Sequence, residues 1–522
     1  MTIFNLHSMH MTCTKLHIIK KYSFMENRVK KAKLSSEEHH FFRTVYNAAF
    51  ANPFSDLREK LDIKIAGHFP SASRRESKDL CINEVDHRIK TLESQGRADI
   101  NAFQGQDKEI ITIVFLFDIF HKFRDEFDQL IKDQIKAQDI PVKVPFAPKA
   151  MEMLHKKGFD DKSVFHYFAL SYQLRRAFYF ISNSLVGSSP CMKTLKKHLW
   201  YNVFTYNIDL YNKFLWNKME DFSTLLLGET GTGKGTAAKA IGRSGYIPFD
   251  EKKQCFAQSF TRAFSSLNLS QYPETLLESE LFGHTKGAFT GAMEDYQGVF
   301  DRCSPHGSIL LDEIGEIPNH VQIKLLRVLQ ERTFSPVGTH ETSRFNGRVI
   351  AATNRPKKDI LDGKVFRDDF YYRLCSDIIE VPPLSIRIRE KPSELDDLLD
   401  FTIQKMTGTR SEKLILKVKR IIDRRLGKNY QWPGNVRELE QCVRSVLLRR
   451  DYRGKQKDDK EAGSLTQELI QGISNLNISV PLLVSGYCRL LYEKFGTYEK
   501  VAKLTGLDRR TIKKHIINFK RD

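Results

Sequence analysis

A glycine-rich segment, GETGTGKGT, occupies residues 228–236 between an apolar run and a helical one. Its Gly228, Gly233 and Lys234 have the spacing of a phosphate-binding loop. Glycines let backbone N–H groups turn toward phosphate oxygens, the following helix start adds positive potential, and the lysine reaches the β- and γ-phosphates. Gly235 stands where a Ser or Thr hydroxyl usually helps to hold Mg²⁺, which weakens the motif taken alone.

An acidic pair, Asp312 and Glu313, ends the apolar run SILLDE further along the chain. A carboxylate at a strand end suits the Mg²⁺ of a bound ATP, and its neighbour suits the orientation of the attacking water. Either acid alone is consistent with a surface residue, but the glycine loop upstream favours a catalytic pair. The two motifs together predict an ATPase that uses ATP and Mg²⁺, with the metal held by Asp312.

The segments around these motifs alternate between short apolar runs and helical patterns from Val186 onward. FSTLLLG, SILLDE and RVIAATN have the length and composition of buried strands. This alternation predicts a parallel α/β sheet. Before Val186 the apolar residues follow helical spacing, and core packing explains the many aromatics there better than a cofactor site does.

A chain of 522 residues is too long for one core, so several domains are expected. The predicted regions are a helical regulatory region of unknown signal at 1–185, an α/β ATPase subdomain at 186–384, a helical lid at 385–452, a charged linker at 453–475 and an all-α DNA-binding domain at 476–522.

The last segment, GTYEKVAKLTGLDRRTIKKHI, has the pattern of a helix-turn-helix. Asp508 is a suitable N-cap for the second helix, whose Ile512 and Ile516 can face a core. From Gly486 onward there are ten Lys or Arg and four Asp or Glu, which favours DNA as the partner. A basic cap that binds only protein is the alternative. The expected DNA contacts are Arg509, Arg510, Thr511, Lys513 and Lys514.

Composition sets the broad class of the protein. The formal net charge of +19 makes an acidic partner such as nucleic acid worth testing. Eight cysteines without CxxC spacing indicate reduced thiols and a cytoplasmic protein. The longest apolar run is broken by Asp118 and is too short to cross a bilayer, so no membrane partner is expected. Met25 is an alternative start, and the basic N-terminus lacks the apolar core of a secretory signal.

A third motif, ESELFGHTKGAFTGA, ends in GAFTGA at residues 287–292. With the other two motifs, it resembles the AAA+ ATPases that activate bacterial sigma-54 RNA polymerase. The resemblance extends from about residue 186 to about 450 and resumes in the last 40 residues, which resemble a Fis-type helix-turn-helix. It implies an activator that binds upstream double-stranded DNA, forms a homo-oligomeric ring, expected to be a hexamer, and uses ATP hydrolysis to drive open-complex formation.

The resemblance also implies a role for individual residues. Asn268 corresponds to a switch asparagine, although the family's NCAA is NLSQ here, and the family usually has Glu at the position of Gly235. Arg367 and Arg373 correspond to arginine fingers, which join Lys234, Asp312, Glu313 and Asn268 as catalytic residues. The implied nucleotide contacts are Gly228, Glu229, Thr230, Gly231, Thr232, Gly233, Lys234, Gly235, Thr236, the sensor residues Thr353 and Asn354, and Arg437 of the lid. The implied sigma-54 contacts are Gly287, Ala288, Phe289, Thr290, Gly291 and Ala292.

Two other functions remain open on the sequence alone. Gly235 is compatible with a degenerate ATPase that acts as a plain DNA-binding repressor, although the intact GAFTGA and the acidic pair oppose it. An AAA+ remodeller of a different substrate is the other, and for it the helix-turn-helix would be superfluous. ATP hydrolysis separates the first alternative from the activator, and sigma-54 capture separates the second.

Overall fold

A computed structural model describes residues 31–67, 74–427, 430–454, 465–476 and 478–518. The alternative start at Met25 and residues 455–464 of the predicted linker lie outside the described residues. The chain divides into two compact units, one up to residue 415 together with 434–440, the other 416–433 together with 441 onward. None of the described helices is both long and apolar enough to cross a membrane.

Helices form the chain ahead of the first sheet strand, as the apolar spacing predicts. Their starts carry capping side chains: Ser35 and Glu38 form a reciprocal capping box, and Asp160 accepts from the backbone N–H of Ser163. These helices are α1 (Ser36–Phe50), α2 (Asp56–Ile65), α3 (Arg74–Ser94), α4 (Gly105–Lys122), α5 (Arg124–Ala137), α6 (Ala147–Lys156), α7 (Asp161–Ser184) and α8 (Pro190–Phe204).

A five-stranded parallel sheet forms the centre of the first unit, with the strand order β4–β5–β8–β1–β9. The strands β1 and β8 are buried along their whole length, which explains their continuous apolar sequences. Two short antiparallel pairs, β2–β3 and β6–β7, lie outside this sheet. The strands are β1 (Thr224–Leu227), β2 (Phe249–Asp250), β3 (Cys255–Phe256), β4 (Phe264–Asn268), β5 (Ser308–Asp312), β6 (Thr333–Phe334), β7 (Ser343–Arg344), β8 (Arg348–Thr353) and β9 (Asp377–Glu380).

Helices connect the parallel strands and continue after the sheet. This arrangement confirms the predicted multidomain fold, with a helical N-terminal region and a parallel α/β domain followed by further helices. The connecting helices are α9 (Lys234–Gly242), α10 (Glu274–Phe282), α11 (Val299–Arg302), α12 (Asn319–Glu331), α13 (Lys357–Leu361) and α14 (Asp368–Leu374). Those after the sheet are α15 (Leu384–Glu390), α16 (Glu394–Thr407), α17 (Glu412–Arg425) and α18 (Asn435–Arg449).

The C-terminal part of the second unit is all helical and has its own small core. Ile512 and Ile516 are buried there against Cys488 and Val501, as their spacing predicts. Asp508 caps the last helix by accepting from the backbone N–H groups of two residues that follow it. The helices are α19 (Leu465–Ser474), α20 (Val480–Phe495), α21 (Tyr498–Thr505) and α22 (Arg509–Asn518).

The hydrophobic core is continuous between the N-terminal helices and one face of the sheet. Phe168 of α7 stacks on Phe256 of β3, with ring centroids 5.9 Å apart. The backbone N–H of Val144 donates to the carbonyl of Gln254 over 3.0 Å. The boundary at residue 185 therefore stays a prediction about function, since packing does not separate the two sides there.

Arg176 of α7 links the N-terminal helices to the C-terminal end of α9 by hydrogen bonds. Its guanidinium is fully buried and donates to the carbonyls of Arg243, at 2.8 Å, and Gly245, at 2.7 Å. Burial lowers the pKa of Arg176 to about 10. The free carbonyls at a helix end attract positive charge, which offsets part of the cost of burying the guanidinium.

A second buried arginine joins the amino ends of the sheet strands to α8. Arg348 of β8 donates to the side-chain oxygen of Asn202, at 3.0 Å, and to the hydroxyl of Thr224, at 3.2 Å. The amide nitrogen of Asn202 in turn donates to Asp377 of β9, at 2.6 Å. Burial lowers the pKa of Arg348 to about 10. This network holds the amino ends of β8, β1 and β9 together. The candidate site lies at the opposite edge of the sheet, where the carboxyl ends of the strands meet.

Replacement of Arg176 by Met should destabilise the first unit by roughly 2–4 kcal/mol, because two buried carbonyls lose their donors. The shift of the urea unfolding midpoint, followed by tryptophan fluorescence, measures this loss. Arg262→Met, at an exposed arginine, is the matched control and should change the free energy of unfolding by less than about 0.5 kcal/mol. Equal midpoints for the two variants would contradict the anchoring role of Arg176.

Candidate active site

The glycine loop joins β1 to α9 and adopts backbone angles that glycine favours. Gly231 has φ of 81° and Gly233 has φ of 106°, both in the left-handed region. A Cβ atom at Gly231 would also lie 2.3 Å from the carbonyl oxygen of Gly434. Gly231 is therefore required both by its conformation and by the close approach of the segment that begins α18.

Lys234 is the first residue of α9 and its side chain turns back over the loop. Its Nζ donates to the carbonyl of Gly228 over 2.8 Å and lies 3.3 Å from that of Glu229. Burial lowers the pKa of Lys234, the positive charge of Arg437 acts in the same direction, and the carboxylates of Glu313 and Asp312 oppose the shift. The lysine thus lies in one electrostatic group with the acidic pair and the lid arginine.

The acidic pair lies at the carboxyl end of β5, in the middle of the same sheet edge. Because β5 pairs with β8, the residues that follow the two strands meet there. The backbone N–H of Asn354 lies 3.4 Å from a carboxylate oxygen of Glu313, and its amide nitrogen lies 3.3 Å from the hydroxyl of Thr230. Asn354 thus connects the acidic pair to the glycine loop. Thr353, the other predicted sensor, is buried, and its hydroxyl accepts from the N–H of Arg355.

Asn435 is a functional residue that the sequence reasoning missed. Its fully buried amide nitrogen donates to the carboxylate of Glu229, at 3.0 Å, and the carbonyl of Thr230, at 3.1 Å. Its amide oxygen accepts from the N–H of Leu384 over 2.7 Å. Its φ of 52° is positive, which asparagine tolerates better than most residues. An Asn that follows Gly434 at a helix start was the available signal, in the same motif as Arg437.

A cavity of about 590 Å³ adjoins the first turn of α9. An added Cβ at Gly235 would meet no atom within 4 Å, so the missing side chain leaves open space at this point. Thr236 follows it and supplies the nearest hydroxyl along the chain. The walls of the cavity include Gly233, Gly235 and Thr236 of the loop and α9, Tyr179 and Asn183 of α7, and Leu398 and Thr402 of α16.

The predicted Mg²⁺ ligand, Asp312, fits a site that is completed by phosphates and water. In the described ranges, no three or more His, Cys, Asp or Glu side chains are grouped to hold a metal. Mg²⁺ bound with a nucleotide needs only one or two protein carboxylates. Asp312 ends β5, which pairs with β8, and β8 pairs with β1, from which the glycine loop leaves at the same edge of the sheet. Asp312 and the glycine loop are thus consistent with bound Mg²⁺-ATP.

Three predicted catalytic residues are not joined to this group by hydrogen bonds. Asn268 pairs with Asp312 in the sheet register, but its amide oxygen accepts from the N–H and hydroxyl of Ser270. Arg367 is exposed and forms an ion pair with Asp369 at 2.8 Å. Arg373, in the last turn of α14, is exposed. Their catalytic roles stay predictions.

The GAFTGA segment forms a compact loop whose tip faces solvent. The N–H of Gly287 donates to the carbonyl of Ala292 over 2.9 Å, which closes the loop across its base. Phe289 remains 36% exposed, with its ring edge-on to His284 at a centroid distance of 4.9 Å. Thr290 is also exposed. Phe289 is therefore not a core residue, and the tip is available to a partner.

The predicted DNA contacts lie on α22, mostly on its exposed side. Arg509 pairs with Glu499 over 2.9 Å, and the hydroxyl of Thr511 donates to Asp508. Arg510, Lys513 and Lys514 are exposed, whereas the intervening Ile512 is buried. One face of α22 is thus basic, and the other anchors it to α20 and α21.

Comparison with known proteins finds a family model that matches the part of the chain that holds this site. Residues 208–380 match the family model described as the sigma-54 interaction domain. The Nif-specific regulatory protein of Azotobacter vinelandii is 38% identical over 308 residues, which are 59% of this chain and 50% of that protein. The regulatory protein AtoC of Escherichia coli K12 is 38% identical over 226 residues, 43% of this chain and 45% of that one. The chain thus spans about half the length of the curated relatives it matches.

The solved structure of NtrX from Brucella abortus covers 70% of this chain and 78% of its own, at 18% identity. Its TM-score of 0.37 is too low to support an inference. The family model, in contrast, spans the glycine loop, the acidic pair, the GAFTGA loop and both predicted arginine fingers. Residues 208–380, about a third of this chain, therefore match the sigma-54 interaction domain family, and the Nif-specific regulatory protein and AtoC are similar to this part of the chain.

Proposed function

We propose that this chain is an ATP-hydrolysing activator of transcription by sigma-54 RNA polymerase. The observation that carries the proposal is the convergence of Lys234, Glu313 and Asn354 at one sheet edge within a domain of that family. The exposed tip of the GAFTGA loop and the basic face of α22 support the two macromolecular contacts that an activator needs. The protein would bind DNA upstream of a promoter and convert the closed complex to the open one.

The chemistry of hydrolysis follows from the placement of the side chains. Phosphoryl transfer depends on positioning and on positive charge near the transferred group. The ammonium group of Lys234 supplies part of that charge, and Glu313 orients the attacking water. The backbone N–H of Asn354 positions the Glu313 carboxylate, and its amide contacts Thr230 of the loop. When bound through Asp312, Mg²⁺ supplies further charge neutralisation on the phosphates.

Assembly completes the site in this proposal. Arg367, just before α14, and Arg373, in its last turn, are exposed and contribute no hydrogen bond to the site of their own chain in the part that the structure describes. Positive charge for the transferred phosphoryl group then comes from the arginines of a neighbouring subunit in a homo-oligomeric ring, expected to be a hexamer. Hydrolysis would therefore depend on protein concentration.

The GAFTGA loop contacts sigma-54 in this proposal. Glycines at positions 287 and 291 have positive φ and no neighbouring atom within 4 Å of an added Cβ, so open space surrounds the loop at both. An exposed aromatic between two such hinges is suited to contact a protein partner. The loop would transmit the state of the nucleotide site to sigma-54.

Replacement of Lys234 by Ala tests the site itself. Loss of the only ammonium group in the loop should lower ATP turnover by about 100-fold or more and weaken ATP binding. The reason is that the positive charge beside the negative phosphates is lost. The control is Lys252→Ala, which removes an exposed lysine and should leave turnover within about twofold. If the Lys234 variant turned over ATP as fast as the wild-type protein, the assignment of the site would be overturned. If the wild-type protein itself did not hydrolyse ATP, the alternative of a DNA-binding repressor with a degenerate ATPase would be favoured.

Phe289→Ala and Thr290→Ala test the coupling role of the loop. Both side chains are exposed, so the variants should keep their melting temperature and ATP turnover but fail to capture sigma-54 or open a promoter. Sigma-54 capture with a transition-state analogue of ATP hydrolysis measures the contact. Met293→Ala, 78% exposed just beyond the hexapeptide, is the control and should behave as wild type. Loss of both thermal stability and ATP hydrolysis in the Phe289 variant would instead place Phe289 in the core.

Arg510→Ala tests the DNA interface. If the guanidinium contacts a base edge, affinity for the specific duplex should fall by about 1–3 kcal/mol, and affinity for a scrambled duplex should change little. Binding at one fixed salt concentration measures both. Arg489→Ala, at an arginine paired with Glu493 on α20, is the control and should retain affinity. An equal loss on both duplexes would identify Arg510 as a phosphate contact.

A further inference from the structure

A second cavity, of about 440 Å³, lies among the N-terminal helices and is separate from the nucleotide site. Ligand pockets typically enclose roughly 300–1,000 Å³ and have mostly apolar walls. The walls here are largely aromatic and aliphatic on α1, α3, α4, α7 and α8, and α2 and α5 add charged side chains. The walls include Phe50, Ile82, Leu116, Phe117, Leu174 and Trp200. The size and lining are those of a site for a small molecule with one or two rings.

The charged side chains around this cavity are balanced. Four Lys or Arg and four Asp line it. Arg58 pairs with Asp62 at 2.7 Å, and Arg175 donates to Asp128 at 2.6 Å. A charged ligand would have to disrupt such pairs, whereas an uncharged ligand leaves them intact. The balance therefore favours an uncharged occupant.

His121 contributes to the wall of the cavity. Its Nδ1 is shielded from solvent and has no hydrogen-bond partner among the described residues. The imidazole lies against the ring of Phe117, with centroids 4.4 Å apart, and against Phe120. Burial lowers the pKa of His121 well below its ordinary value, and the positive charges of Arg58 and Arg124 add to this effect. A neutral imidazole offers one donor and one acceptor nitrogen.

We propose that this cavity is an effector site for a small, uncharged aromatic molecule. The ring system fills the apolar walls and leaves the ion pairs around them intact. Burial of its apolar surface supplies the affinity, and a charged analogue binds more weakly because its charge must lose its hydration.

Helix α7 connects this cavity to the nucleotide site. Ser171, Leu174 and Arg175 line the effector cavity. On the same helix, Gln173 and Arg176 donate to carbonyls at the C-terminal end of α9, whose N-terminal end carries Lys234. The last turns of α7 then line the cavity beside the glycine loop. A shift of α7 on ligand binding would therefore move α9, and this part of the inference rests on the proposed function.

Equilibrium dialysis of the full chain with 2-naphthol, naphthalene and 2-naphthoate tests the site. We expect saturable binding of 2-naphthol at least about tenfold tighter than that of 2-naphthoate. Naphthalene should bind within about tenfold of 2-naphthol, because burial of the rings against apolar walls supplies most of the affinity. The comparison of the three compounds on the wild-type chain needs no variant.

Leu174→Trp fills the cavity and should abolish binding of both neutral compounds. Leu57→Trp, at a leucine that is 59% exposed on α2, is the matched control and should bind as wild type. Absence of saturable 2-naphthol binding would overturn the site, as would wild-type binding by the Leu174 variant. Tighter binding of 2-naphthoate would overturn the uncharged class of ligand.

The affinity of the wild-type chain for a fluorescent ATP analogue, with and without saturating 2-naphthol, tests the coupling. We expect the affinity to change by about fivefold or more. An equal affinity in both conditions would overturn the coupling and leave the proposed function intact. Absence of ATP binding in both conditions would overturn the nucleotide site itself and with it the coupling.

Discussion

The parallel alignment of β5, β8 and β1 is the constraint on which the candidate active site depends. Because the three strands are neighbours and run in one direction, their carboxyl ends share one edge of the sheet. The segments that leave this edge carry the glycine loop, Asn354 and the acidic pair. The buried network around Arg348 fixes the opposite edge, so a change in strand order or register there would move every catalytic side chain. Catalytic geometry is thus a consequence of sheet topology.

The shape of the glycine loop also depends on a segment far along the chain. The N–H of Val436 donates to the carbonyl of Gly231 over 3.0 Å, and Asn435 bonds both Glu229 and the backbone of Thr230. Asn435 also accepts from Leu384, where the chain leaves the sheet. One amide therefore joins three segments, and a movement of the start of α18 must alter the loop. In the proposed function, this contact links the conformation of the nucleotide loop to the start of α18.

Local patterns in the sequence were sufficient for the features that depend on local spacing. The parallel fold, the strand–loop–helix around Lys234, the burial of Ile512 and Ile516 and the cap at Asp508 follow from short-range rules. The roles of Asn435 and Arg176 did not follow, because each depends on contacts between segments far apart in sequence. The effector cavity was also beyond prediction, since its walls come from seven helices whose relative positions no periodicity specifies. The roles of Asn268 and of the two finger arginines stay predictions, because they involve the state of the nucleotide or a second subunit.

The continuous core between the N-terminal helices and the sheet has a consequence for the biosynthesis of this protein. Ribosomes deliver α1 to α7 well before β3, yet Phe168 and Tyr172 of α7 stack on Phe256. Until that strand emerges, an aromatic surface of the nascent chain has no partner and is open to aggregation. Pairings between distant segments also slow folding. Expression of this protein should therefore depend on chaperones that shield nascent chains, and slower translation between α7 and β3 would prolong that need.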